Sequence, residues 1–191
     1  MRSRLLATLL LVPALAAFAI AGSTHNFYLS EPTQFSQDLV FPGYDSSDGP
    51  LRGVALCLRW KHTRTIDCEN LDAQPAIVAT AFTPAVIVMQ LNGVTLATLN
   101  FAPLQRLDTL SAFDGNFDFQ GTSAFRTRTS THGDQLLIFE DPAILAAFID
   151  VPSVTITVQG HDVFSLTGPG NLQSDATTRF QLQGLLVYGG A

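Results

Sequence analysis

The chain has one lysine, Lys61, and three glutamates, Glu31, Glu69 and Glu140, among 191 residues. A phosphate backbone is held by a basic surface, so this shortage of cations excludes nucleic acid as a partner. Few glutamates also means few candidates for the paired carboxyls of a glycoside hydrolase. Glu31 precedes Pro32, and Glu140 closes a strand-like run. Aspartates are more numerous but lie mainly in turns, where they cap the backbone. The patterns G-x-S-x-G, G-x-G-x-x-G, H-E-x-x-H and the P-loop are all missing, which removes support for a serine hydrolase, a nucleotide enzyme or a zincin. Beyond residue 21 no apolar run approaches the roughly 18 residues that cross a membrane. Repeats, linkers and low-complexity tracts are missing too.

Residues 1–21 read as a signal peptide. Arg2 and Arg4 form a basic start, Leu5 to Ala17 is apolar apart from Thr8 and Pro13, and Ala19-Ile20-Ala21 offers small residues for cleavage after Ala21. Leu5 to Ala21 also approaches the length of an uncleaved membrane anchor. Residues 22–191 have the size of one domain. They hold eight basic and sixteen acidic side chains, a net charge of −8. Low charge and fourteen phenylalanines indicate an ordered, sheet-rich exported protein.

Strand signals recur every ten to fifteen positions. "FSQDLVF" (35–41) and "VALCLRW" (54–60) alternate with period two, placing Val54, Leu56, Leu58 and Trp60 on one face. "AIVATAF" (76–82) and "AVIVMQL" (85–91) follow, and Asn92-Gly93 then predicts a type I′ hairpin turn. Further strands are expected at 116–125, 135–139, 153–160 and 179–188. Many short strands without long helices predict an all-β fold, a two-sheet antiparallel β-sandwich of jelly-roll type. The exception is "EDPAILAAFID" (140–150). Asp141 is a candidate N-cap and Pro142 suits the first helical position, predicting a short helix at 142–149 that lids the sandwich.

Cys57 and Cys68 flank "LRWKHTRTID", which reads as a hairpin with His62-Thr63 at its tip. That register sets the two cysteines opposite each other, and a disulfide there would contribute about 2–3 kcal/mol. Two buried free thiols are the alternative. His132 and Asp134 in "THGD", with His161 and Asp162 in "GHD", could ligate a metal if the two turns met. Surface histidines beside turn acids are ordinary, and no metal or other cofactor is expected. Asp45, Ser46, Ser47, Asp48 and Gly49 resemble the start of a calcium loop. A bidentate glutamate should follow such a glycine by about six residues, yet none arrives before Glu69. The stretch therefore reads as a turn between strands, with at most a weak calcium contact from Asp45 and Asp48. Trp60 reads as core rather than as a sugar platform. Arg126 and Arg128 share one face of an extended segment, where they could grip an anion or guard a sheet edge.

The order of these features resembles the choice-of-anchor E domain of exported bacterial proteins, which often carry a PEP-CTERM-type sorting tail. The resemblance rests on "LVFPGYDSSDGPLRGVALCL" (39–58), "CENL" (68–71), "EDPAILAAFID" and "FSLTGPGNLQSDATTRFQLQGLLVY" (164–188). It implies an all-β extracellular or cell-surface module without catalytic residues to carry over. The family's sorting tail does not follow Tyr188, which leaves anchored, released and periplasmic forms open. The expected function is non-enzymatic binding of polysaccharide or matrix. The alternatives are a carbohydrate-active enzyme using strand aspartates and a calcium-stabilised envelope or biofilm component.

Overall fold

The computed structural model describes residues 23–32 and 34–190. The signal-peptide reading of residues 1–21 lies outside them. Eleven strands account for most of the chain: β1 (Thr24–Pro32), β2 (Phe35–Pro42), β3 (Gly53–Asn70), β4 (Ala76–Phe82), β5 (Ala85–Leu91), β6 (Val94–Phe101), β7 (Leu104–Leu110), β8 (Ala124–Phe139), β9 (Ser153–His161), β10 (Phe164–Thr167) and β11 (Leu172–Gly189). They form three antiparallel sheets. The long sheet has the order β1-β11-β3-β8; a second sheet runs β2-β9-β5-β6 and a third β10-β4-β7. Together they make the expected β-sandwich, with one layer divided in two.

The division has a local cause. β4 and β5 are separated by Thr83-Pro84, β6 and β7 by Ala102-Pro103, and β9 and β10 by Asp162-Val163. Proline has no N–H for the ladder, so two neighbouring strands must break where it falls. The third break lies beside the first, because Thr83 N donates to Val163 O at 2.9 Å. The long sheet continues unbroken beneath this joint and carries two separate cores. Leu56, Leu58, Phe180, Leu182 and Tyr188 pack against Ile87, Met89, Ile156 and Val158 of the second sheet. Ile66, Cys68 and Phe125 pack against Val78, Phe82 and Leu110 of the third. Trp60 lies half-buried against the larger core, edge-on to Phe101 at 4.9 Å.

Several sequence expectations match element for element. β4 and β5 have the predicted bounds, and Asn92 (φ 50°) and Gly93 (φ 81°) take the left-handed conformations of a tight hairpin turn. The helix, α1 (Pro142–Leu145), is shorter than 142–149. Asp141 caps it by accepting from Ala143 N at 2.8 Å, and Leu145 and Phe148 enter the larger core. Other expectations need correction. Residues 116–123 form a loop rather than a strand, and "THGD" is the middle of β8 rather than a turn. The hairpin with its tip at His62-Thr63 does not exist, since β3 passes straight through it. Strands β1, β7 and β10 had no counterpart in the sequence reading.

Candidate functional site

The straight β3 overturns the proposed disulfide. Cys57 and Cys68 are free and buried on one strand, eleven residues apart. At about 3.3 Å per residue that is roughly 36 Å, whereas a bridge needs Cα atoms within about 7 Å. Burial raises both thiol pKa values, that of Cys68 to about 11 with added repulsion from Asp108 and Glu69.

The four residues considered for a metal also part company. His132 and Asp134 are exposed on β8, where Asp134 accepts from Arg59 Nε at 2.7 Å. His161 is exposed at the end of β9, while the Asp162 carboxylate is fully buried. Asp45 is engaged as the cap of a 3₁₀ turn (Ser46–Asp48), accepting from Ser47 N at 2.8 Å; the Ser47 side chain first, and then this backbone bond, hold its pKa below the usual value. The turn is pinned from across the chain by Asp150, whose carboxylate accepts from Ser46 N at 2.9 Å and Ser46 Oγ at 2.8 Å. Tyr188 Oη donates to Pro42 O at 2.7 Å, and Tyr44 N donates to Phe148 O at 2.7 Å. A side chain at Gly43 would meet Val151 O at 1.9 Å, so the close approach itself requires glycine. "FPGYDSSDG" is thus a clasp between the β2–β3 connection and the α1 segment.

A cluster of buried charge lies at the joint between the two half-sheets. Arg64 donates from Nε and Nη2 to the Asp162 carboxylate at 2.9 and 3.1 Å. It also donates from Nη1 to Ala102 O at 2.8 Å and from Nη2 to Thr83 O at 2.9 Å. Its guanidinium lies 5.0 Å from the Phe82 ring centroid. His62 Nε2 lies 3.1 Å from Asp162 Oδ2 but off the line of a good hydrogen bond. Burial acts to raise the Asp162 pKa, but the hydrogen bonds and charge of Arg64, with His62 close by, outweigh it, and the net direction is down. One guanidinium therefore serves all three strand breaks. The three ionisable side chains are buried and, His62 Nε2 apart, satisfied, as a structural bracket should be.

The open chemistry is on the outer face of the long sheet. Of the eight basic side chains in residues 22–191, Arg59, Lys61, Arg126, Arg128 and Arg179 share that face. Among the described residues, the opposite layer's outer face, formed by alternate residues such as Ile77, Ala79, Val88, Leu107, Thr155 and Gln159, carries no lysine or arginine. Directly paired residues define rows across the long sheet. The row Gln183–Arg59–Asp134 contains an ion pair at 2.7 Å, as does Asp175–Asp67–Arg126. Between them lie Gln181–Lys61–His132, Arg179–Thr63–Ser130 and Thr177–Thr65–Arg128, three rows without an acid. Tyr28, 62% exposed, stands on β1 at the edge of this face, and its hydroxyl accepts from Gln181 Nε2 at 3.3 Å. Sequence reading noticed Arg126 and Arg128 but not their neighbours, because only the strand register sets Lys61 and Arg179 beside them.

An open groove of about 520 Å³ runs between the edge strands β1 and β2, lined by residues 26–31 and 37–41. Its two carboxylates diverge. Glu31 pairs with the buried Phe180 and turns inward, whereas Asp38 is on the outer face and accepts from Thr157 Oγ1 at 2.7 Å. Among the described residues, no helix is long and apolar enough to cross a membrane.

No protein-family model and no curated protein matches the chain. Among solved structures it is similar to the infectious bursal disease virus Gx strain structure, at 9% identity over 90% of this chain and 37% of that one, with a TM-score of 0.24. The VP2 subviral particle of infectious bursal disease virus gives 11% identity over 90% of this chain and 38% of the other, with a TM-score of 0.26. Dimeric latent PorU from Porphyromonas gingivalis gives 8% over 91% and 10%, with a TM-score of 0.18. The chain thus spans less than two fifths of the length of each of these proteins. At such TM-scores the likeness transfers no function.

Proposed function

We propose that this protein is an exported, non-enzymatic binding module that holds extracellular polysaccharide or matrix on the outer face of its long sheet. One observation supports the reading above the others. The face presents hydroxyls, amides and cations in register over four strands, beside an exposed Tyr28, while the buried polar groups of the joint are used in holding the fold. Polar groups that converge on an exposed surface suit a long, hydroxyl-rich ligand better than a small enclosed one. Export is supported by the character of residues 1–21, and the chain acts outside the cytoplasm or at the cell surface.

The test is a glycan array and affinity electrophoresis with residues 22–191, together with chromatography of each retained glycan after incubation. Retention without new fragments is expected. Failure to retain any polysaccharide would remove the binding reading, and release of shorter oligosaccharides would replace it with the enzymatic alternative.

A further inference from the structure

We infer that the three acid-free rows form a binding site for an acidic polysaccharide, one bearing carboxylates or sulfates on its sugar rings. The inference rests on the binding-module reading and specifies its ligand. Lys61, Arg128 and Arg179 are exposed and, among the described residues, have no ion-pair partner. By contrast, Arg59 and Arg126 in the flanking rows are neutralised by Asp134 and Asp67. From strand spacing and rise, the Cα atoms of the three free cations lie about 8 to 14 Å apart at the corners of a triangle. Long side chains can adjust over such spans to follow charges on successive or alternate sugar rings.

Two physical points favour an anion. Surfaces built only for solubility intersperse both signs, and neighbouring uncompensated cations raise each other's energy until an anion arrives. This cluster also occurs in a chain whose remaining charge is strongly negative, so the positive field is local rather than general. Nucleic acid, the other long polyanion, is distinguished by the oligonucleotide arm of the experiment below. A sugar polymer finds the remaining partners nearby. Thr63 and Ser130 share a hydrogen bond at 2.9 Å, Ser30 Oγ accepts from Arg179 Nη1 at 3.3 Å, and His132 faces Lys61 across the strand pair. Tyr28 bounds the site on one side with a ring available for stacking.

The test measures retention of residues 22–191 by polygalacturonate, dextran sulfate, neutral dextran and a single-stranded oligonucleotide, at low and moderate salt. The two acidic polysaccharides should be retained most strongly, and less so as salt rises. Lys61→Gln, Arg128→Gln and Arg179→Gln should each weaken binding about two- to fivefold, and the triple variant roughly ten- to hundredfold, the range for exposed charge pairs. A control variant, Asp67→Asn with Arg126→Gln, should retain binding within about twofold, because it removes a pair already neutral. Melting temperatures of all variants establish that the fold is kept. Binding of neutral dextran that the triple variant leaves unchanged would overturn the acidic-ligand inference while preserving the binding module. Retention of the oligonucleotide above both acidic polysaccharides would also overturn it. Failure with every polysaccharide, glycan array included, would sink both.

Discussion

Replacing Arg64 by methionine removes the one side chain that ties the three strand breaks together. The variant loses two hydrogen bonds to Asp162 and one each to Ala102 O and Thr83 O. It leaves the Asp162 carboxylate, whose side chain is fully buried, with only the poorly aligned His62. Breaking a buried ion pair from one side typically costs about 3–5 kcal/mol, a large part of the roughly 5–15 kcal/mol that holds a domain folded. The exposed pair Arg59–Asp134, at 2.7 Å, is shorter than the 2.9 Å contact of Arg64, yet Arg59→Ala should cost below about 1 kcal/mol. The contrast isolates burial as the cause.

The double variant Arg64→Met with Asp162→Leu separates charge pairing from carbonyl satisfaction. Pairing alone predicts near-complete recovery, because a buried pair is often replaceable by apolar residues. The carbonyls of Thr83 and Ala102, residues that border solvent, would still lose their donors. Each falls near the low end of the 1–3 kcal/mol range, so about 2 kcal/mol should remain missing. Urea titration with linear extrapolation measures all three variants, read at constant m. Because the folded Asp162 pKa is depressed, its contribution is complete above the ordinary carboxylate value and lost as pH falls through the folded one. The wild-type advantage over Arg64→Met should therefore shrink below about pH 4. An Arg64→Met cost under about 1 kcal/mol, or a double variant as stable as wild type, would refute the reasoning.

Further predictions address the clasp, the thiols and the core tyrosine. Native protein should react with a thiol reagent at neither cysteine at pH 8, then at both in denaturant, and reductant should leave the melting temperature unchanged; an intact mass two daltons below the dithiol value would contradict this. Asp150→Ala should cost about 1–2 kcal/mol by urea titration, from two lost bonds to Ser46 and a left-handed backbone (φ 52°) that alanine tolerates less well. Since Asp45 is engaged with Ser47 N, a chelator should not shift the wild-type melting temperature; a drop of several degrees would restore the calcium alternative. Burial raises the Tyr188 pKa to about 12, so one tyrosine should resist ionisation at 295 nm until near that pH. The neutral phenol is then the stabilised form, and stability should decline as pH rises above about 10.

Strands with a sustained hydrophobic alternation were legible in the sequence, and those that are short or carry polar residues inward were not. β4, β5 and the Asn92-Gly93 turn were readable because Val78, Phe82, Ile87 and Met89 mark a buried face on which Thr80 is the one polar member. β3 was readable only as far as Trp60, because its inward series then runs His62, Arg64, Ile66. Two polar members in that series mimic a turn until Asp162, 98 positions after Arg64, supplies the reason for burying them. The same gap concealed the candidate site. Outward cations at 61, 128 and 179 lie far apart in sequence, and only the pairing register places them in adjacent rows. The motif that looked most like chemistry, Asp45 to Gly49, proved legible as a turn, but its partner Asp150 is 104 positions away from Ser46.

An unbroken long sheet beneath a divided layer also sets how this protein can come apart. The third sheet joins the rest through short connections and the small core around Val78 and Phe82, so it can lift as a unit while β3 and β11 stay paired under the larger core. Amide protons of β10 should then exchange through this partial opening, well before those of β9 and β5. Separation of β3 from β11, by contrast, strips both cores of their common floor at once. The proposed binding face is built on that last-to-open pair. It would therefore keep its geometry through the fluctuations that expose the smaller core.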